Sequence, residues 1–184
     1  MLSSYTNGGY MKILNIYSSE TGNTKSLAYT IKNKYNCETL DILSANEKDS
    51  SYFKKYDYII IGFWVDKGYP DDNTKLLLSK LRDVEVILYM TLGAYTYSMQ
   101  VHRCFARAGE LLDETVTVLS TFAIQGRLPK EKLDEINSRP PDHPRAPTPR
   151  QTIMRNIGQS HPDEEDKNHL LNLIELTIDR TYGL

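Results

Sequence analysis

The chain has 184 residues, 22 Lys+Arg against 24 Asp+Glu, and a formal net charge of −2. That length fits one domain, and the charge leaves no cationic excess for neutralising nucleic-acid phosphates and no strong acidic field. Apolar residues make up 40% and charged residues 25%, as in an ordinary globular chain and unlike a disordered one.

Residues 1–11 are small and polar and are expected to form a flexible N-terminal extension, with Met11-Lys12 a natural beginning for the domain. Ile13, Leu14, Ile16 and Tyr17 form a short apolar run that stops at Ser18-Ser19-Glu20-Thr21-Gly22, the pattern of a buried strand followed by a turn. Leu27, Ala28, Ile31 and Tyr35 then recur at helical spacing. Thr39–Leu43 predicts a weaker strand and Tyr58–Phe63 the strongest one. Pro70-Asp71-Asp72 predicts a helix start followed by Leu76, Leu77, Leu78 and Leu81. A strand over Val84–Thr91, a helix through Val101, Cys104, Phe105, Ala108, Leu111 and Leu112, and a strand over Val116–Ile124 complete the series.

Strand and helix alternating at this rhythm predict βαβ units, hence an α/β fold with a mostly parallel sheet and helices on both faces, and room for five strands suits the order 2-1-3-4-5 better than a six-stranded dinucleotide fold. Beyond Gly126 the regularity breaks. Pro129-Lys130 can open a short helix through Ile136, and Arg139–Pro149 carries five prolines that forbid regular helix or central strand. His161-Pro162-Asp163-Glu164-Glu165 signals a last helix, with Leu170, Leu171, Ile174 and Ile178 as its apolar stripe. Residues 12–184 are therefore expected to form a single domain, with an excursion at about 127–162 rather than a linker.

The first strand-to-helix turn carries the clearest chemistry. In Ser19-Glu20-Thr21-Gly22-Asn23-Thr24, hydroxyls, an amide and a glycine stand where backbone N–H groups converge at a helix N-terminus, an arrangement suited to an anion such as a phosphate. The dinucleotide fingerprint is absent, and the Walker A spacing fails for want of its first glycine. No Cys-x5-Arg loop is present. A plain capped helix is the competing reading of the same residues.

These six residues match the flavodoxin phosphate motif S/T-x-T-G-x-T, and the chain resembles the flavodoxin family from about Lys12 to Ile124 and again in the final helix. The resemblance implies a flavodoxin-like fold with noncovalent FMN, the ring lying between the loops after the third and fourth strands. Carried over by position, those loops are Phe63, Trp64, Val65, Asp66, Lys67, Gly68 and Leu92, Gly93, Ala94, Tyr95. Trp64, the only tryptophan, would flank one ring face and Tyr95 the other, with Tyr97 as its rival. The alternatives are a core tryptophan for Trp64 and chance for Tyr95, one of 13 tyrosines. Backbone at Asp66-Lys67-Gly68 would face flavin N5, and the N–H groups of Gly93 and Ala94 the pyrimidine. Acidic residues common in the fourth-strand loop of the family are missing and Lys67 is basic, a departure that favours reduced, anionic flavin and puts a very low potential in doubt.

The function so implied is electron transfer by FMN to or from a dedicated redox partner, an electron carrier more than a self-sufficient enzyme, with no catalytic residue assigned. An FMN-dependent NAD(P)H quinone or nitro-compound reductase of the same fold is the alternative, and a flavin-less interaction module a third. The Trp64-Val65-Asp66-Lys67-Gly68 loop, the proline-rich stretch and the His161–Asp166 helix start also resemble short bacterial flavodoxin-like accessory proteins serving dedicated reductases, including bilirubin-type reductases. Near-neutral charge implies a partner recognised by shape.

No HxxxH or HExxH spacing points to a metal. Cys37 and Cys104 form neither a disulfide framework nor a CxxC pair and fit a reducing cytoplasm. No membrane segment or secretory leader is expected. Arg139, Arg145 and Arg150 read either as a solvated loop or as an anion or partner patch.

Overall fold

A computed structural model describes the backbone of residues 5–6 and 9–182. Within the expected N-terminal extension, β1 (Tyr5–Thr6) pairs antiparallel with β2 (Gly9–Tyr10), and the rest of residues 1–8 lies outside the described residues.

The main sheet is built from β3 (Ile13–Tyr17), β4 (Glu38–Asp41), β5 (Tyr58–Asp66), β7 (Glu85–Leu92) and β8 (Thr117–Gln125). Its order is β4-β3-β5-β7-β8 with every pair parallel, which is the expected 2-1-3-4-5 arrangement. A short β6 (Tyr69–Pro70) folds back antiparallel on the end of β5. The helices are α1 (Asn23–Tyr35), α2 (Ile42–Asn46), α3 (Ser50–Phe53), α4 (Asp72–Lys80), α5 (Met99–Gly109), α6 (Lys130–Asn137), α7 (Pro149–Ile157) and α8 (Glu164–Tyr182). None among the described residues is long and apolar enough to cross a membrane.

Strands β5 and β7 are apolar at successive positions because both of their faces are covered. Alternate residues divide between two cores. Ile59, Ile61, Phe63, Val86, Leu88 and Met90 pack with Leu77, Leu78 and Cys104 of α4 and α5. Tyr58, Ile60, Ile87 and Tyr89 pack with Leu27 and Ile31 of α1 and Leu170, Ile174 and Ile178 of α8. The last of these stripes was legible from spacing alone. Buried Asn15 interrupts the second face, and its Nδ2 donates to the Ala28 carbonyl (2.8 Å) and to Thr39 Oγ1 (3.2 Å).

Several boundaries differ from the sequence expectation. The second strand stops at Asp41, whose carboxylate accepts from the N–H groups of Leu43 and Ser44 and so starts α2 instead. Pro70 lies in β6 rather than opening a helix, and Asp71 caps α4, accepting from Thr74 N–H (3.2 Å) and Thr74 Oγ1 (2.6 Å). Leu76 is exposed, because the apolar stripe of α4 runs through Leu77, Leu78 and Leu81. Helix α7 was not expected at all. Its start is a capping box, Thr148 Oγ1 accepting from Gln151 N–H while Gln151 Oε1 accepts from Thr148 N–H, with Pro149 in the first turn.

Candidate functional site at the carboxyl edge of the sheet

The turn from β3 into α1 is shaped by its two ends. Ser18 N–H donates to the Gly62 carbonyl (2.8 Å), carrying the pairing of β3 with β5 one residue past the strand. Gly22 then takes a left-handed conformation (φ 86°), which only glycine adopts cheaply, and occupies the N-cap with no side chain to cap the helix. The first helical bond runs from Ser26 N–H to the Gly22 carbonyl (2.9 Å), so the amides of Asn23, Thr24 and Lys25 find no acceptor among the described residues. Ser19 Oγ is buried without a partner among the described residues. Unpaired N–H groups at the positive end of a helix, beside an unused hydroxyl, form a receptor for an anion.

Two residues of the motif have structural tasks as well. Asn23 Nδ2 donates to the Arg127 carbonyl (2.9 Å), tying the helix start to the chain just beyond β8. Gly126 leaves the room for this contact, since a Cβ there would lie 2.6 Å from Asn23 Nδ2. Thr24 Oγ1 and Thr91 Oγ1, both buried, share a hydrogen bond of 2.8 Å across to the end of β7. Glu20 is exposed and Thr21 half-buried.

At the end of β5 the strand runs on through Phe63, Trp64, Val65 and Asp66, so Trp64 sits in the strand and not in a loop. Lys67 (φ 49°) and Gly68 (φ 85°) form the two-residue turn into β6, with the positive φ at both positions that such a hairpin requires. Arg107 of α5 holds this turn. Its Nη1 donates to the Gly68 carbonyl (2.6 Å), and its guanidinium lies 3.7 Å from the centre of the Tyr69 ring. Phe63 is fully buried edge-on to Phe105 (6.3 Å between ring centres), so only its backbone reaches the edge. Trp64 and Val65 are half-buried, Asp66 half-buried and Lys67 exposed.

At the end of β7, Leu92 is buried, and its carbonyl accepts from Gly126 N–H (2.9 Å). Gly93 admits Leu128 from the excursion, where a Cβ would come within 2.2 Å of Leu128 Cδ2. Ala94 is half-buried; Tyr95 is exposed and packs on Tyr97, with ring centres 5.5 Å apart.

Two cavities open along this edge. One, of about 570 Å³, is lined by Ser19, Lys25, Tyr17 and Trp64 and by the carboxylates Asp41, Asp66, Asp71 and Asp72. Burial, and after it the neighbouring Tyr29 and Asp41, pushes the Tyr17 hydroxyl above its ordinary range. The other, of about 330 Å³, lies between Gly93-Ala94-Tyr95 and helix α7, from which Arg150, Met154 and Arg155 face it. Ser19, Trp64 and Asp66 thus share one cavity, whereas Gly93, Ala94 and Tyr95 border the other. Neither of these two cavities is lined by both Trp64 and Tyr95.

The part that sequence reasoning missed is the basic wall supplied by α7. Of the three arginines singled out, Arg139 is engaged by Glu135 (2.8 Å), Arg145 is exposed, and only Arg150 reaches the cavity, together with the unforeseen Arg155. The signal was present in Thr148-Pro149-Arg150-Gln151, a capping box hidden by the preceding prolines. Gln125 anchors this helix, its Nε2 donating to the Met154 carbonyl (3.1 Å), and Gly158 packs directly on the Gln125 amide.

His161, Asp163 and Asp166 bring one candidate metal-ligand atom each within 4.8 Å of one another. Their bonds describe a helix start instead. Asp163 Oδ1 accepts from Asp166 N–H (2.9 Å), and Asp166 Oδ2 accepts from Asp163 N–H (2.9 Å) and lies 2.5 Å from His161 Nδ1.

A family model described as a flavodoxin domain matches residues 14–175, most of the chain and all of this edge. The chain belongs to the flavodoxin family. The flavodoxin-like domain-containing protein BilS of Clostridioides difficile (strain CD3) is 33% identical over 162 residues, covering 85% of this chain and 90% of that protein. The BilS protein of Clostridium symbiosum (strain WAL-14163) is 27% identical over 142 residues, covering 70% and 75%. Among solved structures, a flavoprotein from Lactobacillus acidophilus NCFM in complex with FMN is 22% identical, with 61% of this chain and 93% of that one covered and a TM-score of 0.48. Two-electron reduced flavodoxin from Megasphaera elsdenii is 19% identical, with 65% and 90% covered and a TM-score of 0.46. The parallel sheet in the order β4-β3-β5-β7-β8, covered by helices on both faces, agrees with that membership.

Proposed function

We propose that this chain is an electron-transfer protein that binds FMN and exchanges electrons with a dedicated redox partner. The observation that carries the reading is the start of α1, where three successive amides and Ser19 Oγ have no partner among the described residues, and where Ser19 and Lys25 line the same cavity as Trp64. The donors fit a phosphate monoester: N–H groups and a hydroxyl, positioned by the left-handed Gly22. In this reading Ser19, Glu20, Thr21, Gly22, Asn23 and Thr24 hold the phosphate. Trp64 and the backbone of Phe63 to Gly68 border one side of the ring, and Leu92, Gly93, Ala94 and Tyr95 the other. Bound FMN supplies the one- and two-electron chemistry, and the protein binds it, orients it and sets the charge beside it. Lys67, exposed on its turn, favours the reduced anionic flavin.

A carrier is favoured over a self-sufficient reductase because the family model and both curated relatives are of the flavodoxin kind. The partner we propose is a reductase of the bilirubin-reducing kind, to which the relatives' shared name and the Trp64–Gly68 loop both lead. The test is addition of FMN to the flavin-free full-length chain. Binding is read from the flavin absorbance that stays with the protein on gel filtration and from quenching of Trp64 emission. No retained flavin would overturn the proposal. Ser19→Ala is expected to weaken FMN binding about tenfold, the worth of one charge-assisted hydrogen bond. Steady NADPH oxidation with a quinone by the isolated protein would replace the carrier reading with the enzyme one.

A further inference from the structure

The 330 Å³ cavity beneath α7 is a basic compartment with its own chemistry. Arg150 and Arg155 both line it, neither makes an ion pair among the described residues, and no described Asp or Glu lines it. Arg155 Nη1 is buried with no acceptor among the described residues, which leaves a guanidinium donor with unmet demand. Burial, and next the charge of Arg139, lowers the Arg155 pKa from its ordinary value, so its surroundings lack the compensating anion such a group calls for. The start of α5, which also lines the cavity through Ser98 and Gln100, adds donors of a different kind. Ser98 is the N-cap of the 11-residue helix α5 yet makes no cap bond, and its Oγ is buried without a partner among the described residues. The first helical bond there runs from Val101 N–H to the Ser98 carbonyl (3.0 Å), which leaves the amides of Met99 and Gln100 without acceptors among the described residues. Met154, Ala94 and Tyr95 also line the cavity, beside Gln100, Gln125 and Gln151, and give it apolar groups of the kind that hold the body of an organic molecule.

We propose that this cavity binds a small organic carboxylate, the carboxylate group against Arg150, Arg155 and Ser98 and the apolar body against Met154 and Tyr95. Paired guanidinium donors match the two oxygens of a carboxylate. The apolar groups select an organic acid over a bare inorganic anion, whose whole surface needs polar partners. The site stands independently of FMN, although it shares Gly93–Tyr95 with the edge assigned to the ring.

The test is calorimetric titration of the full-length chain with benzoate, benzamide and inorganic phosphate, run with the chain flavin-free and again at saturating FMN. Benzoate is expected to bind in both states, with benzamide and phosphate each at least about tenfold weaker, because one lacks the charge and the other the apolar body. Arg150→Ala, at an exposed position, and Arg155→Lys, which keeps the charge but loses the fork, should each weaken benzoate about tenfold with unchanged far-UV circular dichroism. Equal binding of benzoate and benzamide, equal binding of phosphate, indifference to both substitutions, or no benzoate binding would each overturn the proposal. So would loss of benzoate binding at saturating FMN, which would make the cavity part of the flavin's own site. If FMN itself fails to bind, the flavin-free titration still decides the matter.

Discussion

The ring of Tyr89 fills the space where a side chain at Gly62 would stand: a Cβ on Gly62 would come within 2.1 Å of the Tyr89 ring carbon that bears the hydroxyl. The two residues are register partners on β5 and β7, and the Gly62 carbonyl also accepts from Ser18 N–H at the start of the phosphate-type turn. The fit of one large and one absent side chain therefore sets the spacing of the two central strands where the site begins. Gly62→Ala is expected to destabilise the fold by about 1–3 kcal/mol, the cost of overpacking a closed core. Urea denaturation measures it, and the double variant Gly62→Ala/Tyr89→Phe should recover only part of the loss, since the ring itself remains.

The Thr24–Thr91 hydroxyl pair is sealed from solvent. Thr24→Val should cost about 1–3 kcal/mol, because it strands the buried Thr91 hydroxyl, whereas Thr24→Val/Thr91→Val should regain much of that loss. A double-mutant cycle read by thermal and urea unfolding checks the non-additivity. FMN affinity should fall less for Thr24→Val than for Ser19→Ala, since the Thr24 hydroxyl is already engaged and the Ser19 hydroxyl has no partner among the described residues.

Arg107 holds the Lys67-Gly68 turn by a charged hydrogen bond and by stacking on Tyr69. Arg107→Ala should loosen the β5–β6 hairpin locally by about 1–3 kcal/mol. The measurement is tryptic cleavage after Lys67 under native conditions, expected to accelerate at least about tenfold, together with faster amide exchange at Gly68 and Tyr69. An unchanged cleavage rate would mean that the turn residues hold their conformation unaided.

Glu38 accepts hydrogen bonds from both Tyr52 and Tyr56, and these bonds, the Tyr52 one foremost, hold its carboxyl below the usual range. A carboxyl depressed in the folded state contributes stability above its unfolded pKa of about 4.3 and loses it as pH falls through the folded value. The wild-type chain should therefore lose stability on acidification below that point more steeply than Glu38→Gln. Near neutral pH the substitution should cost no more than about 1 kcal/mol, since the group is exposed. Denaturation midpoints between pH 3 and pH 7 test the difference in slope.

Periodicity and turn chemistry determined most of this protein. The runs Ile13–Tyr17 and Tyr58–Phe63 could serve only as strands covered on both faces, and the alternating helices then left the 2-1-3-4-5 sheet as the natural arrangement. The motif Ser19–Thr24 was likewise readable, because a glycine cap and unpaired amides are properties of a short contiguous segment. Local signals also explain the misplaced boundaries: Asp41 and Asp71 end one element and cap the next, and a cap outweighs the apolar residues around it.

Long-range packing decided the rest. Sequence could not show that Trp64 continues β5, because that depends on β6 folding back under Arg107, 38 or more positions distant along the chain by the Gly68 and Tyr69 contacts. Nor could it show that α7 comes to rest against Gly93–Tyr95. That placement rests on Gln125 reaching Met154, Leu128 entering the space at Gly93, and Asn23 holding Arg127. Each of these contacts joins segments with no shared periodicity, and their energies appear only once the sheet exists to bring the segments together. The sequence by itself established the sheet and the glycine-capped turn into its first long helix; only tertiary structure placed the basic wall of α7 at the same edge.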